Sequence, residues 1–131
     1  MDTNVICASG DVWRRRWLFG LLEDAGFNVR MCATAEELLH LAGRWRRTAD
    51  QDAAVLILDA QLSQDYLPSR VVKALRYNGI PIRTIILAAS DYEGEIIRCL
   101  SEGADDFVHY PTEPAEIVER VCRVHSLPNL V

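Results

Sequence analysis

Ala54-Val55-Leu56-Ile57-Leu58-Asp59 is the most apolar run of the chain, and it closes on a carboxylate. Five consecutive apolar residues read as a strand buried on both faces, because a strand with one wet face would alternate with polar residues. Comparable short runs occur before and after it: Val5-Ile6-Cys7-Ala8, then 27–32, 84–88 and 107–110. The stretches between them carry apolar residues at helical spacing. In 12–25, Trp13, Trp17, Leu18, Leu21 and Leu22 recur on one side, and Gly26 ends the helix. Trp13 and Trp17, four apart, are expected on the core face. Thr34-Ala35-Glu36-Glu37 forms a capping box for a second helix that runs to about Gly43, and a polar loop at 46–53 follows. Pro68 opens a third helix that Asn78-Gly79 stops. Ser90-Asp91-Tyr92-Glu93 is a second capping box, whose helix closes at Gly103. Pro114 leads into the last helix, which Pro128 terminates.

Five strands alternating with five helices imply an α/β fold, a parallel sheet covered on both faces. Ligand chemistry in such folds gathers at the carboxyl ends of the strands. Those ends are 8–11, Asp59, 88–90 and 109–111. At 131 residues and 50% apolar, the chain suits one domain with a core large enough to stand without metal or disulfides.

The net charge of −5 argues against nucleic acid as a direct partner, since phosphate contacts need a basic surface. Arg14-Arg15-Arg16 and the group Arg44, Arg46 and Arg47 are read as solvated helix ends and faces, with docking of an acidic partner as the alternative. Trp45, within the second group, is read as covering the end of its helix. Cys7, Cys32, Cys99 and Cys122 stand far apart in apolar or amphipathic runs, so they are expected to be free core thiols in a reducing compartment. The chain opens without a basic flank and apolar run and nowhere has eighteen apolar residues together, which predicts a cytoplasmic protein away from membranes.

Leu21-Leu-Glu-Asp-Ala-Gly-Phe27, the strand Val55-Leu-Ile-Leu-Asp59 and Gly103-Ala-Asp-Asp-Phe-Val-His-Tyr-Pro111 together resemble the receiver domains of two-component response regulators. The third segment is the most specific of them. The resemblance implies a doubly wound five-stranded parallel sheet of order 2-1-3-4-5, the flavodoxin-like or CheY-like arrangement. It spans 1–126 and leaves 127–131 as a tail or the start of a linker. It puts Asp59 at the phosphoacceptor position, ending the third strand.

The same resemblance implies an acidic pair for Mg²⁺ after the first strand, a Thr or Ser after the fourth and a Lys before Pro111. Counted along this chain, the acidic pair falls on Ser9 and Gly10, with Asp11 one residue beyond. The hydroxyl falls on Ala88 and the lysine on Tyr110. The loop after Asp59 departs as well, and Gln61-Leu-Ser-Gln-Asp-Tyr-Leu-Pro68 needs a one-residue insertion to stay in phase. Phosphoryl transfer to a carboxylate needs charge neutralised at the reacting anion. A pocket of Ser9, Gly10, Asp11, Ala88, Tyr110 and Pro111 supplies little of it. The expectation is a pseudo-receiver, not an enzyme, with neither Mg²⁺ nor any other cofactor, acting by contact with a protein partner or a covalently attached effector domain. Two other readings stay open: a conventional phosphoacceptor using Asp59 with Asp11 toward the metal, and a small-ligand sensor using the vacated pocket. Phe107, at the position of the family's switch aromatic, is expected to be a fixed packing residue. The resemblance also implies a homodimer surface on the fourth helix, fifth strand and fifth helix.

Overall fold

The computed structural model describes residues 3–45, 54–62 and 66–128. Five strands, β1 (Asn4–Ala8), β2 (Asn28–Cys32), β3 (Ala54–Asp59), β4 (Ile82–Ala88) and β5 (Asp106–His109), form one parallel sheet in the order β2-β1-β3-β4-β5. Five helices connect and cover them: α1 (Val12–Asp24), α2 (Ala35–Trp45), α3 (Pro68–Tyr77), α4 (Glu93–Glu102) and α5 (Pro114–His125). This is the topology expected from the sequence, and the elements start and stop within a few residues of their predicted bounds.

The alternation hidden in the apolar strands emerges in the packing. Along β3, Ala54, Leu56 and Leu58 face α2, α3 and α4, meeting Leu38, Val71, Val72, Leu75, Ile96 and Cys99. Val55 and Ile57 face α1 and α5, meeting Leu18, Leu22, Ile117, Val121 and Val124. Both faces of the strand are therefore dry, and all six of its residues are buried. In register, Ala8 pairs with Leu58, and Asp59 pairs with Leu87. The carboxyl ends of β1, β3 and β4 thus lie side by side.

Several local expectations need correction. Ser90 does not cap a helix; it opens a 3-10 turn, Ser90–Tyr92, and α4 begins at Glu93 with no side-chain cap. Thr34 does accept from the Glu37 amide at 3.1 Å, as a capping residue should. Cys7, Cys32 and Cys99 are free and buried, but Cys122 is exposed, because α5 turns Val121 and Val124 to the core instead. Trp13 is 74% exposed, whereas Trp17 packs against the α1–α5 side of the core. The stripe of α1 that meets the sheet runs through Leu18 and Leu22, and Trp13 falls outside it. The readings of the 46–53 loop, of Arg46, Arg47 and the Trp45 side chain, of the insertion at 63–65 and of the end of the tail lie outside the described residues. No described helix is long and apolar enough to cross a membrane.

Candidate functional site

Asp59 is completely buried at the end of β3. The Ser9 hydroxyl donates to its Oδ2 at 2.7 Å, and the Gln61 amide donates to Oδ1 at 3.0 Å. The Arg14 guanidinium lies across both oxygens, with one nitrogen 3.0 Å from each. Charge-assisted bonds of this kind are the strong ones, and burial removes the water that would weaken them.

Arg14 reaches Asp59 because of how α1 starts. Asp11 is its N-cap, accepting from the amides of Trp13 at 2.9 Å and Arg14 at 3.0 Å. The Arg14 amide first, then the Trp13 amide and the charges of Arg14 and Arg15, hold the Asp11 carboxyl below the usual carboxylate value against the opposing effect of burial. Asp11 is thus occupied at the helix end. One turn of α1 then separates the three arginines that look alike in sequence. Arg14 turns in to Asp59, Arg15 donates to the Ser9 carbonyl at 2.8 Å, and Arg16 lies outside over the Trp13 ring, 5.9 Å from its centroid. Reading all three as solvated missed the most important side chain of the site. Its signal was the helical spacing itself, since Arg14 stands four residues before buried Leu18.

Tyr110 completes the enclosure. Its ring packs under the Arg14 guanidinium at 4.1 Å, and Trp17 meets it edge-on with centroids 5.6 Å apart. Burial alone would lower the Arg14 pKa; the charge and hydrogen bond of Asp59, with smaller effects from Tyr110, reverse this and raise it above its ordinary value. Arg14 therefore stays a cation wedged between a carboxylate and an aromatic face.

Gly10 shows how tightly the β1–α1 turn is closed. A Cβ there would sit 2.6 Å from the carbonyl oxygen of Leu62 and 2.8 Å from that of Gln61. Both are backbone atoms of the segment after β3, so no side-chain rotation relieves the clash. Ser9 is fully buried as well and spends its hydroxyl on Asp59. Ala88 is buried at the end of β4, and its carbonyl accepts from the Tyr110 amide at 2.9 Å. The sequence brought Ser9, Gly10, Ala88, Tyr110 and Asp59 to one end of the sheet, and they are found there. Pro111 follows Tyr110 through a cis peptide bond. Phe107 is partly buried against the α2–α4 side of the core and meets His109 edge-on.

A cleft of about 620 Å³ opens beside this cluster, on the α4 side of Gly10, with Gln61, Tyr92, Glu95 and Arg98 among its lining. Ser9, Ala88 and Tyr110, expected to line a vacated pocket, are absent from its lining residues. Among the described residues, no group of three or more His, Cys, Asp or Glu side chains stands together as metal ligands would.

No protein-family model matches the chain. Its homologues and structural neighbours are nevertheless response-regulator receiver domains. The rice two-component response regulator ORR5 (Oryza sativa) is 27% identical over 111 residues, covering 82% of this chain and 77% of its own. The crystal structure of FixJ-N is 26% identical and superposes with a TM-score of 0.84 over 99% of both chains. The receiver domain of sensor histidine kinase PA1611 from Pseudomonas aeruginosa has a magnesium ion coordinated in its active-site cleft. It is 20% identical, with a TM-score of 0.80 over 97% of this chain and 100% of that one, a likeness of fold alone.

Proposed function

We propose that this chain is a receiver domain of two-component signalling that works by protein contact, with Asp59 serving as a structural anchor in place of a phosphoacceptor. The observation that carries this reading is the complete burial of Asp59 under Ser9, Arg14 and the Gln61 amide. A nucleophile must meet its electrophile at van der Waals distance, and here the Arg14 guanidinium, backed by the Tyr110 ring, already occupies the approach.

The residues present do not fit Mg²⁺, a hard cation that requires oxygen ligands in near-octahedral array. Ser9 and Gly10 offer no carboxylate, and the space a side chain would need at Gly10 is filled by backbone carbonyls. Asp11 is held by the amides of α1, and a guanidinium already neutralises Asp59. Ala88 has no hydroxyl to offer a phosphoryl oxygen, and Tyr110 has no charge where the resemblance implies a lysine. Against the small-ligand reading, Arg14 on its Tyr110 backing covers the Asp59 carboxylate, and the open cleft lies to one side of it. On this reading the domain is cytoplasmic and non-enzymatic, and its partner is a separate protein or an attached effector domain. The α4–β5–α5 surface, where Ile97 is 61% exposed and Leu100 37%, is a suitable place for such a contact.

The test is direct. Folded protein incubated with acetyl phosphate, or with beryllofluoride, at millimolar Mg²⁺ is expected to take up neither. Stoichiometric labelling of Asp59 would establish the conventional phosphoacceptor. In cells, Asp59→Ala is expected to leave output largely intact, and loss of output from a still-folded variant would point the same way as labelling.

A further inference from the structure

The outer face of α1 is unusual for a solvated helix. Val12 (46% exposed), Trp13 (74%) and Phe19 (36%) stand on it beside the charged Arg16 and Glu23. Surface helices ordinarily turn polar residues outward, and apolar residues gathered on one outward face mark a contact. The order of these residues identifies the partner.

In an antiparallel pair of identical helices related by a two-fold axis, residues equidistant from the axis face one another. With the axis between Phe19 and Gly20, each Phe19 faces Gly20 of the other copy. Arg16, three positions before Phe19, faces Glu23, three positions after Gly20. Trp13, three further out, comes opposite Gly26, which lies two residues past the end of α1 in the turn that follows it. These three pairs join opposites: a large ring to a glycine twice, and a cation to an anion once. Both glycines have room, for a Cβ at Gly20 or at Gly26 would meet nothing within 4 Å. Phe19 therefore has an open hollow over Gly20 to enter, as a knob enters a hole between close-packed helices, and Trp13 has the open turn at Gly26 to cover. No other centre on this face matches both large residues to glycines while joining the two charges.

From this self-complementarity we propose that α1 is a homodimerisation face, pairing antiparallel with α1 of a second copy across the Phe19–Gly20 midpoint. It is distinct from the α4–β5–α5 surface on which the family resemblance puts dimers. On that surface the Asp106 carboxylate is already bridged within the chain by Arg120 and Arg123. The contact is small, because α1 has thirteen residues and so spans about 20 Å. An interface below the standard size gives a dimer that dissociates on dilution.

Sedimentation velocity on the full chain, from about 10 µM to about 1 mM, measures this association directly. The wild type is expected to shift from monomer toward dimer across that range. Arg16→Glu and Glu23→Arg, each alone, place like charges in contact and are expected to weaken association at least tenfold. The two together restore opposite charges and are expected to recover most of it. Phe19→Ser should abolish it, while Ile97→Glu on α4 leaves it unchanged. All of these positions are exposed or nearly so, and an unchanged circular dichroism spectrum verifies folding. A wild type that stays monomeric throughout overturns the proposal. So does a dimer broken by Ile97→Glu but untouched by either charge reversal, or one that the double reversal fails to recover.

Discussion

Asp59 at the end of β3 and Asp106 at the start of β5 are both aspartates held by arginines, and the same pairing chemistry does different work in the two places. Asp59 is wholly buried, and its arginine is 13% exposed. Asp106 is 16% exposed and bonds Arg120 at 2.9 Å and Arg123 at 2.6 Å, side chains that are 26% and 55% exposed. Burial raises the Asp106 carboxyl, but the bond from Arg123, the Phe107 amide and the charges of both arginines outweigh it and hold it below the ordinary value. Water screens the outer cluster more than the buried inner one. Breaking a buried pair leaves an uncompensated charge, whereas breaking a wet one mostly exchanges a protein partner for solvent. The inner pair ties β1, β3, α1 and Tyr110 together, while the outer one fastens α5 to the edge strand.

The difference can be tested by removing one partner at a time. Arg14→Ala should cost the most, about 3 kcal/mol, because Asp59 stays buried without its counter-ion. Its urea midpoint should fall accordingly, and a loss below ~1 kcal/mol would show that water reaches Asp59 freely. Gly10→Asp should cost about 2 kcal/mol, since the added side chain meets two carbonyl oxygens and the loop must move. The same variant is expected to remain unlabelled by beryllofluoride, because Arg14 still holds Asp59. Asp106→Asn should cost the least, about 1 kcal/mol, and the loss should shrink with added salt.

That last variant also has a defined pH dependence. The folded Asp106 carboxyl lies below the unfolded one, so its contribution is complete above the ordinary carboxylate value of 3.8. It disappears as pH falls through the lower folded value. Wild type and Asp106→Asn should therefore differ in urea midpoint at neutral pH and converge in acid. A gap that persists in acid would show that packing, and not charge, carries the difference.

Much of this was legible in the sequence. The strands announced themselves by apolar runs that no one-sided sheet would tolerate, and the helices by their caps, prolines and glycines. Asp59, Ser9, Gly10, Ala88 and Tyr110 could be assigned to one end of the sheet by counting. What escaped was direction around a helix axis. Arg14, Arg15 and Arg16 are one basic cluster in sequence, but successive residues on a helix diverge by about 100°. Only with α1 placed against the sheet does Arg14 face the carboxylate and Arg16 the solvent. Trp13 misled for the same reason, because spacing four from Trp17 did not put both on the stripe centred on Leu18 and Leu22. The Ser90 cap failed because a 3-10 turn intervened before α4, a local choice that pattern alone does not reveal.

The bare backbone at Gly10 sets an order in which substitutions at this site can be tolerated. While the carbonyls of Gln61 and Leu62 close over it, an acid at this position clashes with backbone and costs stability. The loop must relax first, and Arg14 must leave, before a carboxylate here could be of use. Each of those steps weakens the fold before anything is gained. The position therefore works as a ratchet: a single substitution to an acid meets the closed loop and the Arg14–Asp59 pair together, so the three changes succeed only in combination.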